Sequence, residues 1–138
     1  MDIFKKNKRK LIMSHIKSKN TKPEIYIGTL IHKMGFRFKK HVKSLPGNPD
    51  IVLSKYRKVI FVNGCFWHGH KNCIKSTLPT SNKNFWGKKL NMNILRDKKN
   101  IRLLKKQNWQ TMVIWQCQLK NRNNMRLIDK LKIFLYER

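Results

Sequence analysis

Two cysteines and two histidines lie within eleven residues, in the segment NGCFWHGHKNC at positions 63–73. Cys65, His70 and Cys73 have the short spacings that allow one loop to surround a tetrahedral Zn²⁺, and Cys117 is a candidate fourth ligand. Thiolate and imidazole donors favour Zn²⁺ over Mg²⁺. Four protein ligands leave no open position, so this zinc would be structural. The alternative is a set of unrelated buried thiols, because cysteine is often buried.

Carboxylates are scarce, since the sequence contains only six acidic residues. Asp50 follows a turn at the start of a predicted strand, and Asp97 lies in a predicted helix. A phosphodiester hydrolase needs an oxygen ligand for Mg²⁺ and a base that deprotonates water, and an Asp together with His68 could supply both. Each residue also has a simpler explanation: Asp50 could cap a turn, Asp97 could pair with a neighbouring cation and His68 could pack.

The sequence is strongly basic, with 33 Lys and Arg residues and a formal net charge of +27. Such a charge favours a polyanionic partner, and nucleic acid is the first candidate. The alternative is a coding bias toward Lys and Asn together with a need for solubility. The aromatic residues Phe66, Trp67 and Trp86 could belong to a core, or they could stack on bases or wedge between them.

The sequence also indicates a compartment. No apolar run approaches the roughly 18 residues of a membrane span, and the opening MDIFKKNKRK lacks the hydrophobic segment of a secretory signal. Three cysteines cannot all pair within one chain, so thiols or metal ligands are expected rather than disulfides. We therefore expect a cytoplasmic, nucleoid-associated protein that does not bind membranes.

The elements that position these residues follow from periodicity and turn signals. Thr21 predicts a helix N-cap, and Glu24 three residues later fits a capping box, which would explain this acid fully. Gly35 is expected to end the helix. Residues 1–20 are basic and polar and are expected to form an N-terminal arm or a loosely packed helix.

Further elements follow along the chain. Strands are predicted at 50–54 after the turn LPGNPD, at 58–62 and at 111–115, and helices at about 86–107 and 127–135. The resulting order α-β-β-α-β-α predicts a single small α/β domain with a mixed sheet over residues 1–138.

Six stretches, in order from about residue 13 to 120, resemble the very-short-patch-repair (Vsr) mismatch endonucleases. They are MSHIKSKNTKPE, GFRFKKH, LPGNPDIVL, VIFVNGCFWHGHKNC, FWGKKLNMNILRD and NWQTMVIWQCQL. The combination of LPGxPD, GCFWHGH and a later VIWxC is far more specific than an isolated pair of cysteines. The resemblance covers most of the chain.

The resemblance implies a Mg²⁺-dependent nuclease with a restriction-endonuclease-like α/β core and a structural zinc site. Its expected partner is double-stranded DNA, which it would nick as a monomer on the 5′ side of the thymine in a T:G mismatch left by deamination of 5-methylcytosine. Asp50 and the backbone carbonyl of Val62 would bind Mg²⁺. His68 would act on the attacking water, Asp97 would orient His68, and Glu24 would lie near the active centre.

The remaining site residues follow from the same resemblance. The zinc ligands would be Cys65, His70, Cys73 and Cys117. The aromatic residues that enter the DNA beside the mismatch would be Phe66, Trp67 and Trp86. Asn63 stands where some members carry a histidine or aspartate near the scissile phosphate, so it can donate a hydrogen bond there but cannot titrate. Gln116 replaces a common acid before the last zinc ligand.

Two other functions fit the same sequence. A Vsr-like restriction nuclease would cut unmodified sites without a mismatch, and the sequence does not separate this activity from mismatch-directed nicking. A non-catalytic, zinc-stabilised nucleic-acid-binding protein would explain the charge, but it would have no need to combine Asp50, His68 and Asp97.

Overall fold

A four-stranded mixed sheet with helices on both faces forms the described part of the chain. In this computed structural model, residues 21–65, 67–71, 81–119 and 125–137 are described. The α-helices and strands are, in chain order, α1 (Lys22–Lys33), β1 (Lys39–Lys40), β2 (Ile51–Leu53), β3 (Lys58–Asn63), α2 (Lys83–Lys106), β4 (Gln110–Trp115) and α3 (Met125–Tyr136).

The sheet has the strand order β1-β2-β3-β4. β1 pairs with β2 and β2 with β3 in antiparallel orientation, whereas β3 and β4 are parallel. The parallel register places Asn63 opposite Trp115, so β3 and β4 end at the same edge of the sheet. The loops that follow these two strands therefore begin side by side.

Alternation along the strands divides the buried side chains between the two faces. The larger core lies on the face covered by α1 and α3, and it contains Ile27, Ile31, Ile51, Leu53, Ile60, Ile114, Leu127, Leu131 and Leu135. On the opposite face, Val52 and Val59 pack with Leu104 of α2. Each such buried aliphatic side chain contributes about 1.5–3 kcal/mol of transfer free energy.

The boundaries of α1 agree with the sequence pattern. The Thr21 hydroxyl accepts a hydrogen bond from the backbone N–H of Glu24 at 3.5 Å, as an N-cap does. Gly35 has a φ of +90°, a left-handed conformation that glycine adopts without steric cost and that ends the helix.

The predicted mixed sheet with flanking helices is confirmed, and the structure adds three details. The short strand β1 was not predicted, because two exposed lysines carry no apolar alternation. α2 begins at Lys83, three residues earlier than expected, and its Leu95 is 66% exposed.

None of the described helices combines the length and hydrophobicity needed to cross a membrane. The N-terminal arm lies outside the described residues.

Candidate active site

Asp50 is held at the edge of the sheet where β3 ends. It immediately precedes β2, and the antiparallel pairing of Ile51 with Ile60 places it beside the last residues of β3. The backbone N–H of Val62 donates a hydrogen bond to Asp50 Oδ2 at 2.7 Å. The turn before it contains Gly47 at a φ of +79°, where an added Cβ would lie 3.1 Å from the Phe61 ring. The conformation of the LPGNPD turn and the Val62 hydrogen bond therefore fix the position of the Asp50 carboxylate.

Glu24 and His41 complete a cluster with Asp50. The Glu24 carboxylate is buried, and its Oε2 lies 3.1 Å from His41 Nε2. His41 Nδ1 lies 3.8 Å from Asp50 Oδ1, and the His41 backbone N–H donates to the Asp50 carbonyl at 3.2 Å. The Glu24 side chain therefore faces this cluster, a contact that its place in the first turn of α1 does not by itself require. His41 was not assigned a role from the sequence.

The environment of Asp50 favours its neutral form. Burial is the largest cause and, with the neighbouring Glu24, raises the pKa of Asp50 from 3.8 to about 7. The Val62 N–H and His68 act in the opposite direction and lower this pKa. Two carboxylates so close together repel each other when both are ionised, and a divalent cation between them would remove that repulsion.

His68 and Asp97 form a hydrogen-bonded pair. His68 Nδ1 lies 2.6 Å from Asp97 Oδ2, and both side chains are partly exposed. His68 comes from the loop after β3 and Asp97 from α2, so the pair joins two elements that are distant in sequence. A carboxylate on Nδ1 fixes the imidazole so that Nε2 can accept a proton.

One cavity of about 770 Å³ brings the predicted catalytic residues together. Its lining includes Glu24, Asp50, Val62, Asn63, Trp67, His68, Asp97 and Gln116. The oxygen donors of Glu24, Asp50 and Val62 fit Mg²⁺, which prefers oxygen ligands. Ligand atoms of Glu24, His41 and Asp50 all lie within 4.8 Å of one another, close enough to share one ion.

A second donor cluster lies at the same sheet edge. Cys65 and Cys117 each stand two residues beyond the ends of the parallel strands β3 and β4, and with His70 their donor atoms lie within 4.8 Å of one another. Cys117 Sγ is 3.4 Å from His70 Nδ1, and the Cys117 N–H donates to Cys65 Sγ at 3.4 Å. Two sulfurs and one nitrogen fit the donor preferences of zinc. Cys73, the other expected ligand, lies outside the described residues.

Gly69 separates the two histidines of this loop. It has a φ of +57°, and an added Cβ would lie 2.6 Å from Cδ1 of Ile94 on α2. Glycine is therefore required at this position, where the His68 side chain before it contacts Asp97 and the His70 side chain after it contacts the cysteines. His70 also stacks on Trp115, with ring centroids 4.1 Å apart and planes 10° apart.

An aromatic cluster borders the cavity. Trp67 and Trp86 meet edge to face at 5.8 Å, and Phe85, which is 58% exposed, meets Trp86 at 5.3 Å. Lys89 Nζ lies 5.6 Å from the ring centroids of both tryptophans. Phe85 was missed in the sequence analysis, although its position beside Trp86 in NFWG was a usable signal. Phe66 lies outside the described residues.

Comparison with known proteins places the chain in a family. A family model described as DNA mismatch endonuclease Vsr matches residues 1–75. The type II nicking enzyme V.NmeAIP of Neisseria meningitidis serogroup A is 46% identical over 121 residues, which are 88% of this chain and 86% of that protein. The chain belongs to the Vsr family. Its predicted classification as a DNA endonuclease is therefore confirmed.

Further relatives carry related names. The DNA mismatch endonuclease Vsr of Escherichia coli K12 is 35% identical over 124 residues, which are 90% of this chain and 79% of that protein. Among solved structures, the catalytic domain of the homing endonuclease I-Bth0305I matches 83% of this chain and 94% of its own length. Its TM-score is 0.55 at 19% identity, so this similarity concerns the fold alone. That fold is consistent with a restriction-endonuclease-like core.

Proposed function

We propose that this Vsr-family endonuclease nicks double-stranded DNA on the 5′ side of the thymine in T:G mismatches. One observation carries the proposal: Glu24, Asp50 and the His68–Asp97 pair face the same cavity, and Trp67 of the aromatic cluster lines it as well. Hydrolysis beside a distorted base pair requires an ion site, a general base and a surface on which nucleobases can stack. The carboxylate pair would form the ion site, the oriented histidine would act as the general base, and the adjacent aromatic rings would form the stacking surface.

The proposed ion site uses Asp50, Glu24 and the carbonyl of Val62. A Mg²⁺ ion held there would polarise the scissile phosphate and stabilise negative charge on the leaving oxygen. His68 would accept the proton of the attacking water through Nε2, because Nδ1 is occupied by Asp97. Asp97 would then stabilise the imidazolium that results. Asn63, which is buried at the same edge, would donate a hydrogen bond toward the phosphate.

We also propose that the Cys65, His70 and Cys117 cluster, completed by Cys73, holds a structural zinc ion. Four protein ligands would leave no open coordination position, so this ion would stabilise the loop and take no part in cleavage. The enzyme would act as a monomer in the cytoplasm.

Support for mismatch specificity comes from the family and from the rings. The family description and the name of the Escherichia coli relative both refer to mismatched DNA. Unstacking a mismatched base pair costs less free energy than unstacking a Watson–Crick pair, so aromatic rings that insert into the DNA would favour mismatches. Trp67 and Trp86, with Phe66, are the residues proposed to insert into the DNA. The names of the type II nicking enzymes among the relatives do not refer to mismatches. Restriction-type cutting of matched sites is therefore the competing activity.

The test uses end-labelled duplexes that differ only in a T:G or C:G pair, incubated with Mg²⁺. We expect nicking of the mismatched duplex alone, 5′ of the thymine, and a smaller difference between the duplexes in Trp67→Ala. Tyr56→Ala is a suitable control, because this partly exposed aromatic residue lines neither the cavity nor the aromatic cluster. Equal cutting of both duplexes by the wild-type enzyme would instead favour the restriction activity.

A further inference from the structure

His41 lies between the two carboxylates of the candidate ion site, yet its side chain is poorly satisfied. Its Nε2 atom is buried and, within the described residues, has no hydrogen bond of acceptable geometry, although Glu24 Oε2 lies 3.1 Å away. A buried ring nitrogen of this kind needs a partner. A cation between Glu24 and Asp50 would provide one, since all three side chains offer ligand atoms within 4.8 Å of one another.

The backbone fixes His41 in this position. It follows β1 in a left-handed conformation, with a φ of +52°, and its N–H donates to the carbonyl of Asp50. β1 pairs with β2 through Lys40 and Ile51, so His41 stands opposite Asp50 as the next pair along. The imidazole is therefore directed to the carboxylates by sheet pairing rather than by a mobile loop.

We propose that His41 supplies a nitrogen ligand to the divalent cation held by Glu24 and Asp50. This inference rests on the proposed cation-dependent cleavage and adds a ligand to it. An imidazole donor weakens the preference for Mg²⁺, whose ligands are oxygens, and strengthens binding of Mn²⁺ relative to an all-oxygen site. The site would then bind Mn²⁺ more tightly than Mg²⁺ by a margin that depends on His41.

Mn²⁺ binding to the zinc-loaded full chain in the absence of DNA tests the proposal without relying on activity. Electron spin-echo spectroscopy detects ¹⁴N coupled to bound Mn²⁺, and calorimetry gives the Mn²⁺ and Mg²⁺ affinities. His41→Gln offers an amide oxygen at similar reach, and His41→Asn tolerates the left-handed backbone. His32→Gln is the matched control, since this exposed histidine stacks on Phe38 away from the cavity.

We expect ¹⁴N coupling in the wild type and in His32→Gln, and its loss in both His41 variants. Mn²⁺ affinity should fall at least about tenfold in those variants, and Mg²⁺ affinity should fall less. Mutation of a residue that only hydrogen-bonds to a metal ligand already lowers metal affinity by about 10–100-fold, so loss of a ligand itself should lower it at least as much. Asp50→Asn should abolish binding at this site.

Three results would overturn the proposal. If Mn²⁺ binds in an Asp50-dependent manner but without ¹⁴N coupling, or if the coupling survives in both His41 variants, His41 is not a ligand, while the proposed nuclease function stands. If no binding depends on Asp50, the ligand assignment fails together with the ion site, and nicking assays then decide the function separately.

Discussion

Asp50 is a partly buried acid whose neutral form is favoured, and this affects the stability of the fold. Its pKa in the folded protein is about 7, against 3.8 for an ordinary aspartate. Between these values the folded chain retains a proton that the unfolded chain releases. The contribution of Asp50 to stability is therefore fully present below about pH 4 and is lost as the pH rises through 7.

We predict that the free energy of unfolding in Mg²⁺-free buffer falls from pH 4 to pH 7 more steeply in the wild type than in Asp50→Asn. The difference between the two pKa values corresponds to at most about 4 kcal/mol. Denaturant titrations of both proteins across this range measure it, with the exposed Asp129→Asn as control. Parallel pH profiles for the wild type and Asp50→Asn would show that Asp50 is not perturbed.

At the scale of elements, the loop after β3 depends on Gly69. Its left-handed φ and the 2.6 Å distance that would separate an added Cβ from Ile94 both penalise a side chain. We predict that Gly69→Ala lowers the free energy of unfolding by about 1–2 kcal/mol and reduces nicking, because His68 and His70 both shift. Thermal melts and nicking rates test this.

Gly87 provides the matched control. It lies within α2, and an added Cβ would meet no atom within 4 Å. Gly87→Ala should stabilise the protein by up to about 1 kcal/mol, because alanine favours helix more than glycine does. Equal effects of the two substitutions would contradict the assigned role of Gly69.

The proposed zinc site joins the ends of two parallel strands. We predict that purified protein contains one zinc ion per chain and that Cys117→Ala loses both the zinc and several kcal/mol of stability, since zinc binding contributes directly to folding. Elemental analysis and denaturant unfolding measure the two effects, and Asp50→Asn should retain its zinc. A wild-type protein that contains no zinc, and whose stability does not change with a chelator, would refute the assignment.

At the sheet edge where β3 and β4 end, the sequence predicted the site residues better than it predicted the neighbouring structure that surrounds them. The apolar runs of β3 and β4 predicted both strands, and the residues beyond them supplied Cys65 and Cys117. His41 was not predicted, because its position depends on the pairing of a two-residue polar strand, which has no periodic signal. The role of Glu24 stayed ambiguous, because the capping-box pattern and a buried site carboxylate look identical in sequence.

At the scale of the whole molecule, a net charge of +27 implies strong and salt-dependent DNA binding. Each neutralised phosphate contributes roughly 0.9 to the slope of log K against log salt concentration. We predict a slope of magnitude about 3 or more for duplex binding, measured by fluorescence anisotropy. Lys89→Gln, beside the aromatic cluster, should reduce it by about 1, whereas Lys132→Gln on α3 should not. A slope near zero would remove DNA as the main partner.

The central claim is that phosphodiester cleavage takes place in the cavity around Asp50. Single-turnover nicking of a T:G duplex in Mg²⁺, with enzyme in excess, tests it most directly by comparing the wild type with Asp50→Asn. Removing one negative charge should not weaken DNA binding by so basic a protein, so affinity cannot explain a loss of activity. We predict that Asp50→Asn binds the duplex and retains its fold but produces no detectable nick. Nicking by Asp50→Asn at the wild-type rate would contradict the account.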